Sequence, residues 1–322
     1  MKKINNAIGG YFELEHDRFG NIYHDEAIAL NSGRSALEFI LRNSQFSKVF
    51  VPLYICDTIL QAFERTNTDH AFYKMDNNFL PEIKELDQNE AILYVNYFGV
   101  MENNVRKVID HFDHVIIDNS QAFFSKFENT LSFYSPRKYF GVPDGGFAYL
   151  NKTVNVDYEK DISSKRISHL LTRIENSPEK GYVQFLENEG SFKNCKIKKM
   201  SDLTKALLRS VDFDKVKKRR ESNYMFLNNS LSKFNELSPI VDPQPNGPMV
   251  YPFLNKKNKD IKQKLIENKI YIPTYWPDIK KRKACKGHFE EYLADNLLPL
   301  VIDQRYIEDD LNEMLSIVIR NM

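Results

Sequence analysis

The chain has 322 residues, of which 42% are hydrophobic and 28% charged, and its formal net charge is +1. A chain of this length is too long for one small core, so we expect a large domain over residues 1–210 and a smaller one over 211–322. The near-neutral charge gives no electrostatic footprint for nucleic acid or for an anionic membrane, and neither is an expected partner.

No segment approaches the roughly 20 apolar residues that a membrane span needs. The first residues, Met-Lys-Lys-Ile-Asn-Asn, lead into two glycines without the apolar run of a signal peptide. Cys56, Cys195 and Cys285 are far apart and odd in number, which argues against both a disulfide framework and a zinc site. These features predict a cytoplasmic protein without a bound metal.

Short β-rich segments alternate with helical patterns through the first half of the chain. Such alternation favours a mainly parallel α/β sheet with helices on both faces, and active sites of such sheets collect at the carboxyl ends of the strands. Strands are predicted over residues 48–53, 70–75, 91–98, 114–118, 130–134 and 146–150, and helices over 35–43, 57–65 and 104–112.

The second half begins with one long helical pattern over residues 201–231, weakly broken at 212–214. A proline-rich segment at 242–251 then opens a smaller C-terminal α/β unit. In this unit we predict strands over 249–254 and 270–273 and helices over 260–268 and 308–320.

Residues 31–37, Asn-Ser-Gly-Arg-Ser-Ala-Leu, open the first predicted helix. Small residues at Gly33 and Ser35 would let backbone N–H groups and the helix dipole face an anion, and Arg34 could add a charge-assisted contact. A plain helix cap with Ser32 as the capping residue would explain the same pattern. The segment therefore suggests a phosphate site without establishing one.

A buried strand pattern ends at Asp118. A strand-end aspartate is often only a turn former, but a carboxylate at this place could also keep the ring nitrogen of a cofactor protonated. Gln121, three residues further on, could cap another polar edge of that ring.

Lys138 follows 20 residues after Asp118, between two predicted strands, in a largely aromatic and apolar stretch. A lysine that is desolvated there can act as a nucleophilic amine for Schiff-base chemistry, although most lysines between two strands are simply solvated. A phosphate-type loop, a strand-end aspartate and a lysine occur here in order. Together they match the phosphate, ring nitrogen and aldehyde of pyridoxal phosphate.

These motifs resemble those of the DegT/DnrJ/StrS sugar aminotransferases, which have the aspartate-aminotransferase type of fold, fold type I of the pyridoxal-phosphate-dependent transferases. The resemblance covers nearly the whole chain. Residues 31–37 resemble the phosphate loop of the family, and residues 118–122 resemble its Asp-x-x-Gln/His-Ala motif. Lys138 and the Asp-Gly-Gly at 144–146 have the family's spacing from the Schiff-base lysine to an acid-Gly-Gly turn.

The sequence departs from the family pattern around the phosphate. The usual serine five residues before the lysine is Phe133, and we expect Ser132, or alternatively Ser135, to replace its contact. The usual phosphate-loop threonine is Arg34, and the asparagine that normally reaches the phosphate of the neighbouring subunit is Ile197. We expect Arg34 to compensate for that lost donor.

The residue that stacks on the cofactor ring also departs from the pattern. The usual aromatic falls at Cys56, so the stacking role is assigned to Tyr54.

The resemblance implies a homodimeric aminotransferase that acts on a nucleotide-linked keto-sugar, with glutamate as amino donor, in cell-surface polysaccharide biosynthesis. Lys138 and Asp118 would be its catalytic residues. One alternative is a pyridoxal-phosphate-dependent lyase or dehydratase acting on a deoxy-sugar, but relatives of that kind have histidine in place of the lysine. The other alternative is a non-catalytic protein that has kept the fold.

Overall fold

A seven-stranded sheet forms the centre of the structure. The structure is a computed structural model that describes residues 11–16, 20–256 and 258–322. Six of its strands lie where apolar runs predict them, and a short first strand was not predicted. The strands are β1 Ile28–Leu30, β2 Lys48–Pro52, β3 Asp69–Tyr73, β4 Glu90–Val95, β5 Val115–Asp118, β6 Leu131–Tyr134 and β7 Gly146–Tyr149.

The strand order is β1-β7-β6-β5-β4-β2-β3. The five adjacent strands β6, β5, β4, β2 and β3 are parallel to one another, whereas β7 pairs antiparallel with both β6 and β1. All six residues of β4 are buried, as expected for a central strand of a parallel sheet covered on both faces. The predicted mainly parallel α/β sheet is therefore confirmed.

Ten helices are described around the two sheets of the structure. The three predicted in the first half are present, and the long pattern over 201–231 is divided after Arg209, with Asp212 capping the second part. The helices are α1 Gly33–Asn43, α2 Leu60–Thr66, α3 Glu102–His111, α4 Ser168–Glu175, α5 Pro178–Ser191, α6 Asp202–Arg209, α7 Phe213–Leu231, α8 Asn258–Glu267, α9 Phe289–Asn296 and α10 Glu308–Arg320.

A second sheet in the C-terminal part has two antiparallel strands, β8 Val250–Leu254 and β9 Leu297–Val301. The strand predicted over residues 270–273 is wrong, because those residues have no regular secondary structure. The partner of β8 comes instead from residues 297–301, where Pro299 lies opposite Pro252. Proline has no N–H to donate to a neighbouring strand, so residue propensities do not predict a strand that contains it.

Helices α4 and α5 form a hairpin that the sequence patterns did not predict. Several of its apolar side chains are exposed, among them Ile174 at 81%, Val183 at 64% and Tyr182 at 57%. Only His169, Gly181 and Asn188 of the two helices are buried, so neither helix packs an apolar face on the core. Among the described residues, no helix combines the length and apolar character of a membrane span.

Candidate functional site

The predicted site residues converge at the carboxyl edge of the parallel strands. Strand β5 ends at Asp118 and β6 ends at Tyr134, just before Ser135. The antiparallel β7 begins at this same edge with Gly146, which pairs with Leu30 at the end of β1. Helix α1 starts immediately afterwards at Gly33, so residues that are distant in sequence meet at one edge.

The N-terminus of α1 is capped by Ser32, as the helix-cap interpretation of residues 31–37 predicts. The Ser32 hydroxyl accepts a hydrogen bond from the Ser35 N–H at 3.0 Å and lies 2.8 Å from the Ser35 hydroxyl. The first hydrogen bond of the helical ladder runs from the Ala36 N–H to the Ser32 carbonyl. A capped helix N-terminus with its dipole directed at this edge is also a favourable place for an anion.

Gly33 lies against the loop that follows β6. A Cβ atom placed on Gly33 would be 3.3 Å from the Ser135 Cβ and 3.7 Å from the Ser120 hydroxyl. Ser132, in contrast, is 1% exposed inside β6, three residues and about 10 Å of strand before Ser135. The serine side chains that border the start of α1 are therefore those of Ser135 and Ser120, and the sequence patterns did not single out Ser120.

The Arg34 guanidinium has other partners than those expected. Its Nη1 donates hydrogen bonds to the Gln61 side chain and to the Phe192 carbonyl, both at 2.7 Å. These contacts direct the side chain toward α2 and the end of α5. Arg34 thus links α1 to α2 and to the end of α5, and this position speaks against the expected phosphate contact.

Asp118 ends β5 and Lys138 lies in the turn after the neighbouring β6, so both lie at the same edge of the sheet although 20 residues separate them. Asp118 is 6% exposed, and its Oδ1 accepts the Ser120 N–H at 2.8 Å. Burial raises the pKa of the Asp118 carboxyl, and the positive charge of Lys138 opposes that shift. Lys138 itself is exposed at the end of a short 3₁₀ turn, Pro136–Lys138. The site thus combines a buried carboxylate with an accessible amine.

Gln121 is buried beside this pair. Its Oε1 accepts the Phe98 N–H at 2.8 Å, and its backbone carbonyl accepts the Tyr139 hydroxyl at 2.7 Å. Phe98 has a φ of 62°, in the left-handed region that non-glycine residues rarely adopt. Gln121 therefore stabilises a strained turn after β4, and the role at a ring edge remains a prediction.

Tyr54 is fully buried, and its ring meets the ring of Trp276 edge-on with centroids 4.6 Å apart. With an exposure of 0%, neither face of the Tyr54 ring is open to a ligand. The structure therefore speaks against the stacking role that the family resemblance assigned to this residue. Ile197, which replaces the expected asparagine, is 8% exposed and belongs to the main hydrophobic core.

The Asp-Gly-Gly motif at 144–146 is structural. Asp144 is fully buried and accepts the Ser201 N–H at 3.0 Å, the Ser201 hydroxyl at 2.6 Å and the Thr204 hydroxyl. A Cβ on Gly146 would lie 2.1 Å from the Ser32 carbonyl oxygen, so only glycine lets β7 approach the start of α1. The motif attaches α6 and the first turn of α1 to the sheet.

Two glycine substitutions are expected to separate this structural role from ligand binding. Gly146→Ala should lower the free energy of unfolding by more than about 3 kcal/mol, because its Cβ would collide with backbone. Gly33→Ala should change that free energy by less than about 1 kcal/mol, because the higher helix propensity of alanine offsets the cost of the tight contact. It should nevertheless weaken the binding of pyridoxal phosphate, because the added methyl group faces Ser135.

Urea unfolding and a fluorescence titration with pyridoxal phosphate measure these two quantities. Gly190→Ala is the control, because a Cβ there meets nothing within 4 Å. It should leave cofactor binding unchanged. Equal losses of affinity in Gly33→Ala and Gly190→Ala would contradict the assignment of the α1 N-terminus.

The residues at this edge fit the three polar parts of pyridoxal phosphate. The helix N-terminus with the Ser135 and Ser120 hydroxyls suits a phosphate group, and the buried Asp118 carboxylate suits a protonated ring nitrogen. The accessible Lys138 amine suits an aldehyde. Within the described part of the chain, no group of three or more His, Cys, Asp or Glu side chains is arranged to hold a metal ion.

The comparisons with known proteins agree with this architecture. No family model matches the chain, and no curated protein matches it. Solved structures do match, and they include a DegT/DnrJ/EryC1/StrS aminotransferase, other sugar aminotransferases and a sugar dehydratase. The chain thus has the fold that the sequence resemblance predicted, pyridoxal-phosphate-dependent transferase fold type I.

Three of these structures show how far the likeness extends. A DegT/DnrJ/EryC1/StrS aminotransferase from Brucella abortus is 15% identical, covering 91% of this chain and 85% of its own, with a TM-score of 0.61. Helicobacter pylori PseC, an aminotransferase of pseudoaminic acid biosynthesis, is 16% identical over 92% and 86%, with a TM-score of 0.61. A GDP-4-keto-6-deoxymannose-3-dehydratase with a trapped PLP-glutamate geminal diamine is 16% identical over 90% and 87%, with a TM-score of 0.61.

Proposed function

We propose that the chain is a pyridoxal-phosphate-dependent aminotransferase that acts on a nucleotide-linked keto-sugar. Fold does not fix function, so the proposal depends on the site residues. The observation that carries it is that the buried Asp118 carboxyl, the accessible Lys138 amine and the N-terminus of α1 meet at one edge of the sheet. This arrangement fits the cofactor, and the similar structures include sugar aminotransferases.

The residues of the chain have distinct roles in this proposal. The bound cofactor supplies an electron-accepting ring. The start of α1 at Gly33 and the hydroxyl of Ser135 hold its phosphate, and Asp118 keeps a proton on its ring nitrogen. Lys138 would hold its aldehyde, and its amine could move protons as a general acid and base. We take glutamate as the donor, in keeping with the family resemblance.

The nature of residue 138 favours transfer of an amino group over dehydration. One similar structure is a sugar dehydratase, and the family resemblance associates that activity with histidine in place of the lysine. A lysine amine can form the covalent link to an aldehyde that an imidazole does not form. Lys138 therefore supports the aminotransferase.

We also propose that the protein is a cytoplasmic homodimer. The exposed apolar side chains of α4 and α5, including Ile174 and Val183, support a protein–protein contact on this hairpin. A symmetric dimer would bury the same patch on both subunits. A role in cell-surface polysaccharide biosynthesis completes the proposal, in keeping with the resemblance.

A turnover assay tests the activity. The purified protein, loaded with pyridoxal phosphate, is incubated with glutamate and a panel of nucleotide-linked keto-sugars. We expect an amino-sugar and 2-oxoglutarate in equal amounts from at least one sugar, and sedimentation of the same sample as a dimer. A sugar product that has lost a hydroxyl group and gained no amino group would indicate the dehydratase instead. A loaded protein that turns over none of these sugars would support the non-catalytic alternative.

A further inference from the structure

Arg220 is a buried arginine on α7 whose N–H groups donate hydrogen bonds to uncharged oxygen atoms. It is 1% exposed, and its Nη1 donates to the carbonyls of Pro248 and Met249, both at 3.1 Å. Its guanidinium carbon lies 4.3 Å from the centre of the Tyr139 ring, a cation–π distance. Because a buried charge without partners is costly, Arg220 cannot leave these contacts, and it stays packed against Tyr139.

Arg220 also fixes the orientation of the Gln304 side-chain amide. The Arg220 Nε donates to the Gln304 Oε1 at 2.9 Å, and the Gln304 Nε2 donates to the Tyr139 carbonyl at 2.8 Å. A guanidinium can only donate, so the amide must present its oxygen to Arg220 and its NH₂ group to Tyr139. The Arg220 Nη2 lies 3.5 Å from the same Tyr139 carbonyl. Arg220 and Gln304 thus converge on one backbone oxygen.

Tyr139 is the residue that directly follows Lys138. Its N–H donates to the Pro136 carbonyl at 2.9 Å, which closes the 3₁₀ turn that carries Lys138. Its hydroxyl donates to the Gln121 carbonyl at 2.7 Å, three residues after Asp118. With its carbonyl bound by Gln304, Tyr139 is held at three points. Its backbone cannot move without moving the lysine.

We propose that Arg220 and Gln304 are positioning residues that fix the turn carrying Lys138, and with it the position of the Lys138 amine, through the Tyr139 carbonyl. The inference rests on the proposed role of Lys138 and deepens it. It assigns the C-terminal part of the chain a task in the site without direct contact to the reacting atoms. A reacting group displaced by roughly 1 Å can lose about 10²-fold in rate, so this support matters for turnover.

The test uses Gln304→Ala and Arg220→Lys in the full-length protein. Gln304→Ala removes the donor to Tyr139, and Arg220→Lys keeps the charge but loses the planar fork. Each cofactor-free variant is exposed to trace acetic anhydride over a range of pH. Peptide mass spectrometry then gives the acetylation of Lys138 relative to the exposed Lys218. We expect the acetylation of Lys138 relative to Lys218 to change in both variants, and turnover of the loaded enzyme to fall by about 10²-fold.

Asn223→Ala is the matched control. Asn223 lies one turn after Arg220 on α7 and is equally inaccessible at 3% exposure. It donates to the carbonyls of Ile302, Asp303 and Tyr306, and so holds the same C-terminal loop by hydrogen bonds that do not involve Tyr139. Its loss should lower stability in urea to a similar degree while leaving the Lys138 labelling profile unchanged.

Two results would overturn the proposal. One is an unchanged labelling profile in Gln304→Ala, and the other is an equal change in Asn223→Ala. If Arg220→Lys does not fold, Gln304→Ala carries the test, because Gln304 is only partly buried. Failure of borohydride to fix the cofactor on wild-type Lys138 would defeat the proposed function instead, and it would leave the labelling result intact.

Discussion

Replacement of Lys138 by alanine is expected to abolish the turnover of keto-sugar while leaving the cofactor bound. The loss should exceed about 10³-fold, because it removes both the amine that binds the aldehyde and a proton-transfer group that alone contributes about 10²–10⁴-fold. The α1 N-terminus and Asp118 should still hold the cofactor. Borohydride reduction followed by peptide mass spectrometry should find the cofactor on Lys138 in the wild type and on no lysine in the variant.

Two further variants show which property of Lys138 matters. Lys138→Arg keeps a positive charge near Asp118 but cannot form the covalent link, so it should be as inactive as the alanine variant. Lys218→Ala removes an exposed lysine of α7 and should leave turnover unchanged. An adduct on a different lysine, or full activity of Lys138→Arg, would refute the assignment.

Asp118→Asn is expected to cripple turnover and weaken cofactor binding. An asparagine cannot keep a proton on the ring nitrogen, so the ring becomes a poorer electron acceptor. Loss of a charge-assisted contact of about 1.5–3 kcal/mol corresponds to a fall in affinity of about 10- to 150-fold. Steady-state kinetics and a cofactor titration measure the two effects.

The same substitution should stabilise the cofactor-free protein at neutral pH. Burial raises the pKa of Asp118 above its ordinary value of about 3.9. The stability linked to this carboxyl is therefore fully present below about pH 3.9 and is lost as pH rises through the pKa of the folded state. Asparagine does not titrate, so the difference in unfolding free energy between variant and wild type should grow as pH rises from 4 and then level off.

Urea unfolding at several pH values follows this difference. Asp110→Asn, an exposed position on α3, is the control and should shift neither stability nor affinity. Near-normal turnover in Asp118→Asn would make Asp118 a structural strand-end residue.

Much of the sheet could be predicted from the sequence because its strands are buried on both faces. Strand β4 and strand β5 are continuous in buried residues, and such runs predict strands without knowledge of their partners. Strand β9 could not be predicted in this way, since its pairing with β8 joins residues 297–301 to 250–254 and places prolines opposite each other. The division at residue 210 stays a prediction.

The candidate site could be predicted where chemistry depends on residue type and order. Asp118 and Lys138 were singled out because they follow a phosphate-type loop in the order that the three polar parts of the cofactor require, and their roles stay predictions. The neighbours of Arg34 could not be found, because Gln61 and the Phe192 carbonyl approach it only through tertiary packing. Ser120 and Ser135 likewise depend on how the loops after β5 and β6 meet α1.

The buried Asp144 has a consequence for how this sequence can vary through evolution. Its donors include the hydroxyls of Ser201 and Thr204, two residues of one turn at the start of α6. Loss of either hydroxyl leaves a buried carboxylate short of donors, and loss of the carboxylate leaves both hydroxyls without their acceptor. Among homologous chains, substitutions at positions 144, 201 and 204 should therefore occur together, as a covarying triplet separated by more than 50 residues.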